Sequence, residues 1–260
     1  MKIKRSQLGA QIYSFRDFIK TKCGAEETFM RLADMGYAGI QISGSICPMP
    51  EEELLALLDK AGLAAMTSHE PSEKILTDTD AIISRLKKLN CPHAAYPFIH
   101  FTPTGTAEVT ELAHQLNEAA EKFRAAGLIL SYHNHSIELF KIRGTTILET
   151  IYANAPALEA EFDTHWLWKG GNDPVKWINR FHNRLSVLHL KDYGMLQPDC
   201  TSSGMLPVGS GNLDWESIIP AAIEAGVKSY IVEQDMDVSG EGVFESFEKS
   251  AKYLERFIEE

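Results

Sequence analysis

Short apolar runs alternate with longer amphipathic stretches along the chain. The runs have the length of buried strands, and the stretches repeat their apolar positions with the period of an α-helix. Eight predicted strands cover residues 8–14, 38–43, 63–68, 93–98, 128–132, 158–163, 185–191 and 229–233. Each is followed by a predicted helix, over residues 25–35, 50–61, 72–89, 106–126, 145–154, 174–182, 215–225 and 242–258. The pattern therefore predicts eight consecutive strand–helix units.

Glycines and N-capping residues mark several of these helix boundaries. A glycine follows four of the predicted helices, where a left-handed residue ends a helix at the lowest steric cost. These glycines are Gly36, Gly62, Gly127 and Gly226. Asp173 precedes Pro174, and such a pair is typical of an N-cap followed by the first helical residue. Asp214 is predicted to cap the following helix in the same way.

Strands that alternate with helices of this length favour a parallel sheet joined by right-handed crossovers. The 260 residues divide into units of about 32 residues, the usual size of a βα unit. We therefore predict the α/β class and a closed (β/α)8 TIM barrel that forms a single domain over residues 1–260. An open, doubly wound sheet is the structural alternative.

Polar residues collect at the ends of the last four predicted strands. Alternate side chains of a barrel strand point inward, and barrel enzymes carry their chemistry at the C-terminal ends of the strands. His133, Asp163, His189 and Glu233 end successive strands and share one orientation. Imidazole nitrogens and carboxylate oxygens together favour manganese, iron, cobalt, nickel or zinc over calcium. The alternatives are a hydrogen-bonded core histidine and a carboxylate paired with Lys191. Because unpaired inward charges are costly, four such groups favour one bound divalent metal ion.

Composition and charge narrow the range of partners. Hydrophobic residues make up 44% of the chain, enough for a full core. With 25 basic and 36 acidic residues the formal net charge is -11, which argues against nucleic acid and anionic membrane surfaces as partners. Cys23, Cys47, Cys91 and Cys200 form no Cys-x-x-Cys pair, and no apolar run reaches the roughly 18 residues of a membrane span. We therefore expect reduced thiols and a cytoplasmic location.

Five short motifs resemble a known family of barrels. They are SYHNH (131–135), FDTH (162–165), LHLKD (188–192), VGSGNLDW (208–215) and IVEQD (231–235). This set resembles the xylose isomerase-like TIM barrels of the sugar phosphate isomerase/epimerase family, over essentially the whole chain. Members typically hold one divalent metal ion, and the resemblance implies Asp163, His189 and Glu233 as ligands in this sequence.

The first metal ligand departs from the family pattern. Members usually place a glutamate at the end of the fifth strand, whereas His133 stands at the matching position here. His135 and Glu138 are the alternatives for this ligand. The departure also removes a carboxylate that epimerases of this family use as one of two bases.

The resemblance implies chemistry next to a carbonyl group. A base removes the proton from the carbon beside the carbonyl and an enediolate forms, with a metal ion as the Lewis acid. Glu233 is the predicted base, and Lys191 or His165 is the predicted second proton-transferring group. Return of the proton makes the protein a sugar isomerase or epimerase that acts on a keto-sugar or a sugar derivative.

Further strand ends are predicted to contact a small-molecule carbohydrate substrate. The predicted contacts are Gln11, Tyr13, His69, His135 and Lys191. The long loop over residues 193–212 is a predicted lid, and a homo-oligomer is compatible with the sequence. Two other functions stay open. One is a lyase or dehydratase of a keto-sugar or keto-glycoside that uses the same first step, and the other is a non-catalytic sugar-binding barrel.

Overall fold

A closed parallel barrel forms the centre of the computed structural model, which describes residues 2–196, 202–236 and 242–259. Within these residues the strands follow the chain order around the barrel, and the last one pairs with the first. The strands are β1 (Leu8–Gln11), β2 (Gly39–Ile42), β3 (Ala64–His69), β4 (His93–Tyr96), β5 (Ile129–His133), β6 (Glu159–Asp163), β7 (Leu185–Leu190) and β8 (Ser229–Val232). This closure confirms the (β/α)8 prediction and excludes the open sheet.

Helices lie between the strands along the chain. They are α1 (Lys22–Asp34), α2 (Glu51–Ala61), α3 (Ser72–Thr77), α4 (Thr79–Lys88), α5 (Thr106–Ala125), α6 (Ile147–Asn154), α7 (Thr164–Lys169), α8 (Pro174–Arg180), α9 (Trp215–Glu224) and α10 (Val243–Leu254). Outward side chains of the strands are buried together with the apolar faces of these helices in one core. Examples are Leu130, Tyr132, Phe162, Leu188 and Tyr230.

The predicted helix ends are confirmed where a cap was expected. Gly36, Gly62, Gly127 and Gly226 have φ angles of 91°, 71°, 78° and 85°, in the left-handed region. The Asp173 carboxylate accepts a hydrogen bond from the amide of Val175 at 2.9 Å. The Asp214 carboxylate accepts one from the amide of Ser217 at 3.3 Å. Both aspartates therefore begin their helices as N-caps.

Two helices differ from the prediction. The helix expected over residues 72–89 is divided at Asp78, whose φ of −142° is not helical. Two threonines flank this aspartate, and both residue types favour helix caps over helix interiors. The second difference is α7, which was not predicted. Its N-cap is Asp163, whose carboxylate accepts a hydrogen bond from the amide of Trp166 at 2.9 Å.

The floor of the barrel is apolar. Met66, Val187 and Ile231 form a small buried cluster separate from the outer core. Gly39 makes room for it, because an added Cβ there would lie only 2.7 Å from Cγ of Met66.

The loop predicted as a lid contains an antiparallel strand pair. Asp192–Met195 pairs with Ser203–Leu206. Residues 197–201 of the predicted lid, including Cys200, lie outside the described residues. Cys23, Cys47 and Cys91 are free thiols. No helix of the described residues is both long enough and apolar enough to cross a membrane.

The glycine-rich segment after this strand pair folds around one buried carboxylate. Asp192 accepts hydrogen bonds from the amides of Gly209, Gly211 and Leu213 at 2.9, 3.1 and 3.2 Å, and from the indole of Trp215 at 2.8 Å. The amide of the next residue in the chain donates to the same side chain at 2.8 Å. The glycines therefore bring backbone amides to a side chain of the protein itself.

Candidate active site

A cavity of about 510 Å³ opens at the C-terminal ends of the barrel strands, a size that suits a small molecule. Its walls combine aromatic rings and prolines with histidines and carboxylates. The lining residues are Tyr13, Ser43, Gly44, His69, Glu70, Pro71, Pro97, Phe98, His133, His135, Glu233 and Asp235. Five of the residues predicted to act in the site therefore face one cavity: Tyr13, His69, His133, His135 and Glu233.

The four predicted metal ligands meet beside this cavity. His133 ends β5, Asp163 ends β6, His189 lies in β7 and Glu233 follows β8. All four side chains are buried, and one donor atom from each lies within 4.8 Å of the others. We call these four residues the outer set.

Glu161 is a buried residue of the site that the sequence prediction did not select. Its Oε1 lies 2.6 Å from Nε2 of His69, 3.0 Å from Nε2 of His189 and 3.3 Å from Nδ1 of His133. The side-chain amide of Gln41 donates to both carboxylate oxygens of Glu161, at 3.0 and 3.1 Å. The signal for this residue was its place two positions before Asp163, which gives both side chains the inward orientation.

These contacts define a second group of metal-ligating side chains. His69, His133, Glu161 and His189 also offer donor atoms that all lie within 4.8 Å of one another. We call these four residues the inner set. The two sets share the imidazoles of His133 and His189.

Lys191 lies among three carboxylates. Its Nζ is 2.9 Å from Oε2 of Glu233, 3.1 Å from Oδ2 of Asp163 and 2.9 Å from Oδ2 of Asp235. Burial by itself would lower the pKa of Lys191, but these carboxylates outweigh burial and hold the pKa well above its ordinary value. Lys191 is therefore a buried cation. The pairing of a carboxylate with Lys191, which the sequence left open as an alternative, is present in the structure.

The carboxylates at the end of β8 differ in their charge state. Burial would raise the pKa of Glu233, but the charges of Lys191 and His189 outweigh it and hold this pKa well below its ordinary value. Nδ1 of His189 lies 2.7 Å from Oε2 of Glu233 in hydrogen-bond geometry. Burial and the charge of Glu233 raise the pKa of Asp235 to about 7. Glu233 is therefore an ionised proton acceptor, next to a carboxyl group that can carry a proton near neutral pH.

Two imidazoles of the site are neutral, as a metal ligand must be, whereas a third is protonated. Burial and the His189 ring hold the pKa of His133 well below its ordinary value. Burial and the charge of Lys191 lower the pKa of His135 to about 3. Burial opposes the charge of His189, but Glu161 and Glu233 raise its pKa to about 10, so this residue must release a proton before it can ligate an ion.

Several buried polar atoms of the inner and outer sets lack hydrogen bonds. Among the described residues, Nδ1 of His133 and Nε2 of His189 have no hydrogen-bond partner, and Oδ2 of Asp163 has only its ion pair with Lys191. Buried polar atoms normally have one, because desolvation is otherwise costly. The two imidazoles and two carboxylates of the outer set form a donor set that fits a divalent transition-metal ion.

Gln11 and His165, two other residues predicted to act in the site, do not line the cavity among the described residues. Gln11 is buried in the barrel, where its side-chain amide donates to Gln41. Nδ1 of His165 lies 2.9 Å from the backbone oxygen of Asp192, and its ring packs against Trp166. Both residues therefore lie behind the cavity lining, as does Lys191, which was predicted to contact the substrate and is 1% exposed.

Glu138, the other alternative for the first ligand, has a different set of contacts. Its carboxylate accepts hydrogen bonds from the hydroxyl of Tyr132 at 2.9 Å and from the amide of His135 at 2.8 Å. Glu138 therefore belongs to neither the inner nor the outer set. Its bond to the amide of His135 holds the backbone of a residue that lines the cavity.

Comparison with known proteins establishes the class to which this barrel belongs. A family model described as the xylose isomerase-like TIM barrel matches residues 29–256. The chain therefore belongs to the xylose isomerase-like TIM barrel family, as its motifs predicted.

Individual relatives are more distant. An inosose dehydratase of Lacticaseibacillus casei is 28% identical in an alignment of length 176 that covers 60% of this chain. The match spans about half of that curated relative, 56% of its length. A solved sugar phosphate isomerase/epimerase of Parabacteroides distasonis has a TM-score of 0.81 and 24% identity, covering 95% of this chain and 92% of its own. A xylose isomerase-like TIM barrel protein of Mycobacterium smegmatis, solved in complex with magnesium, has a TM-score of 0.76 and 15% identity, with 98% of both chains covered. The two solved structures share the fold.

Proposed function

We propose that this protein is a divalent-metal-dependent sugar isomerase or epimerase. It acts on a keto-sugar or a sugar derivative by removing the proton next to the carbonyl group. The observation that carries this proposal is the convergence of two buried imidazoles and two buried carboxylates, from four neighbouring strands, beside an open cavity. A site of this kind joins a metal-binding group of side chains to a space for a small carbohydrate.

The outer set would hold the metal ion. His133, Asp163, His189 and Glu233 supply mixed nitrogen and oxygen donors, which suit manganese, zinc, cobalt, nickel or iron. When bound, such an ion polarises the substrate carbonyl and lowers the pKa of the neighbouring C–H group.

Glu233 is the base in this proposal. Its carboxylate is ionised, lines the cavity and can accept a proton from a substrate carbon. Lys191 lies 2.9 Å from this carboxylate and is a fixed positive charge. That charge stabilises negative charge that develops on a substrate oxygen during enolisation.

The second proton-transferring group is better placed at His135 than at His165. His135 lines the cavity that Glu233 also lines, whereas His165 contacts the backbone of Asp192. The pKa of about 3 makes His135 a weak base, so its neutral imidazole would act as a relay, in which one ring nitrogen accepts a proton as the other releases one. Return of the proton to the opposite face of the carbon gives an epimer, and return to the neighbouring carbon gives an isomer.

The cavity walls suit a carbohydrate. Tyr13 and Phe98 are 44% and 39% exposed, and their rings offer apolar faces on which a sugar ring can pack. His69 and Ser43 add hydrogen-bonding groups to the same walls. Packing on one face and hydrogen bonding at the edge is the combination that a polyhydroxylated ring needs.

Dehydration of a keto-sugar is the second candidate function. The relation to an inosose dehydratase favours it, and elimination begins with the same removal of a proton. The departing hydroxyl must then receive a proton to leave as water. Asp235 can supply it, because this carboxyl group has a pKa of about 7 and lines the cavity beside Glu233.

Proton NMR in heavy water separates these functions. The protein is first analysed for bound metal and then incubated with a panel of ketoses, keto-glycosides and inososes. Exchange of the proton next to the carbonyl, followed by an epimer or isomer, supports the proposal. Exchange followed by loss of water assigns the dehydratase instead. Binding of a sugar by the metal-loaded protein without any exchange rejects both and identifies a non-catalytic sugar-binding barrel.

A further inference from the structure

Glu161 and His69 belong to the inner set only, and Asp163 and Glu233 belong to the outer set only. The inner set has three imidazoles and one carboxylate, whereas the outer set has two of each. Nitrogen-rich sites favour zinc, cobalt and nickel, whereas oxygen-rich sites favour manganese and magnesium. The two sets therefore differ in the ion that each prefers.

We propose that the inner set is a second binding position for a divalent ion and that it takes zinc or cobalt. This position lies within the barrel around Glu161, and His133 and His189 are shared with the outer set. The proposal rests on the proposed function only for the role of the outer set.

Glu161 accepts hydrogen bonds from Gln41, but two of its other contacts leave buried imidazole nitrogens without a hydrogen bond. Its Oε1 is 3.0 Å from Nε2 of His189 and 3.3 Å from Nδ1 of His133. Both nitrogens are nevertheless without a hydrogen-bond partner among the described residues, because neither contact has the required alignment. A divalent ion held by Glu161 and these two nitrogens would satisfy buried polar atoms that have no hydrogen bond now.

The hydrogen bond of His189 selects the matching tautomer. Nδ1 of His189 lies 2.7 Å from Oε2 of Glu233 in hydrogen-bond geometry. With the proton on Nδ1, the lone pair of the neutral imidazole is on Nε2, which faces Glu161. A carboxylate that accepts a hydrogen bond from a metal-ligating histidine is the usual partner that fixes its orientation. Glu233 therefore orients His189 towards the inner position.

The same tautomer makes the two positions exclude each other. An ion in the outer set needs the Nδ1 lone pair of His189 next to Glu233, whereas an ion in the inner set needs the Nε2 lone pair. A neutral imidazole has only one lone pair of this kind. One chain therefore holds one ion, and zinc in the inner position displaces manganese from the outer one.

His69 completes the inner position. Its Nε2 lies 2.6 Å from Oε1 of Glu161 in hydrogen-bond geometry, and its ring stacks on the His189 ring with centroids 5.5 Å apart. An ion would take the place of the proton on this nitrogen, and the neutral ring would then carry its proton on Nδ1. Because His69 has no part in the outer set, its substitution separates the two positions.

Competition between two ions tests the proposal. Metal-free protein is loaded with one equivalent of manganese, and zinc is added while free manganese is followed by electron paramagnetic resonance. In the wild type, zinc is expected to displace manganese. In His69→Phe, which keeps a stacking ring, displacement should need at least about tenfold more zinc, with the affinity for manganese unchanged. His114→Phe, on the exposed face of α5, is the matched control and should behave as the wild type.

X-ray absorption at the zinc edge is the second measurement and uses the wild type only. The inner position predicts three imidazoles and one carboxylate around zinc. Two imidazoles and two carboxylates overturn the proposal, as does equal displacement of manganese in the wild type and in His69→Phe. Both readouts are independent of turnover. A manganese-loaded protein that exchanges no substrate proton therefore rejects the proposed function and leaves the inner position standing.

Discussion

The ammonium nitrogen of Lys191 lies 2.9 Å from Oε2 of Glu233, and both side chains are buried. Lys191 follows β7 and Glu233 follows β8, so that the parallel pairing of these two strands brings the charges together. Lys191 is the only cation that ion-pairs with Glu233 among the described residues, apart from the imidazolium form of His189. The charge of Lys191 therefore lowers the pKa of Glu233 and keeps the base of the proposed reaction ionised.

Glu233→Gln should abolish proton exchange without unfolding the protein. The amide keeps the size of the carboxylate but cannot accept a proton from carbon, and general bases typically contribute about 10²- to 10⁴-fold to a rate. Hydrogen exchange of the substrate in heavy water measures the loss, and circular dichroism checks the fold. The exposed Glu216, which pairs with Arg256, supplies the control variant Glu216→Gln, which should exchange normally. Full activity of Glu233→Gln would remove this residue from the role of base.

Lys191→Met should make folding depend on a divalent ion. Loss of the ammonium leaves Asp163, Glu233 and Asp235 without their shared cation, and breaking such a buried pair typically costs about 3–5 kcal/mol. A divalent ion in the outer set restores positive charge next to two of these carboxylates. Added manganese should therefore raise the melting temperature of Lys191→Met more than that of the wild type.

The control for this experiment is Lys252→Met. Lys252 is exposed on α10, and among the described residues its one ion pair is with Glu248 on the same helix, at 3.5 Å. It should melt as the wild type does, with and without manganese. An equal manganese effect on Lys191→Met and on the wild type would show that a bound ion does not replace the charge of Lys191 next to these carboxylates.

Asp192→Asn should destabilise the protein strongly. The amide nitrogen of asparagine would face at least two N–H donors that now reach a carboxylate oxygen, including those of Tyr193 and Leu213. Each buried donor left unsatisfied costs about 1–3 kcal/mol, so we expect a loss of about 2–4 kcal/mol in the free energy of unfolding. Urea denaturation measures it. Asp214→Ala removes only an N-cap and should cost about 0.5–2 kcal/mol. Equal losses in the two variants would contradict the role of Asp192.

The buried His93 should make the protein less stable in mild acid. Burial lowers the pKa of His93 from 6.5 to about 4, so the unfolded chain binds a proton below pH 6.5 that the folded chain refuses. The free energy of unfolding is therefore unaffected by this proton above pH 6.5, and it decreases as the pH falls from 6.5 towards 4. A shift of this size corresponds to about 3 kcal/mol at 1.36 kcal/mol for each pKa unit.

His93→Leu should flatten the decline of the unfolding free energy between pH 6.5 and 4. Denaturant unfolding at a series of pH values gives this slope. His114→Leu is the matched control, because His114 is exposed on α5 and its replacement should leave the slope as it is in the wild type. A slope that is the same in all three proteins would show that His93 does not determine acid stability.

The architecture was predictable from the sequence because it follows from local regularities. Alternating runs of strand and helix length, with glycines after the helices, predict eight βα units, and the closed barrel confirms them. The period of two along each strand also oriented His133, Asp163, His189 and Glu233 towards one region. Orientation and order along the chain are properties of neighbouring residues, so they can be inferred before any long-range contact is known.

Only the tertiary structure decided which inward residues contact each other. Glu161 has the same orientation as Asp163, but its partner His69 is 92 residues away in the chain. The distance between them depends on the closure of the barrel, which brings β3 and β6 around a common interior. His165 carries a motif signal equal to that of its neighbours, yet the start of α7 directs its ring to the backbone of Asp192. Side-chain direction after a strand ends is set by the following turn and its packing, and no periodic pattern in the sequence encodes it.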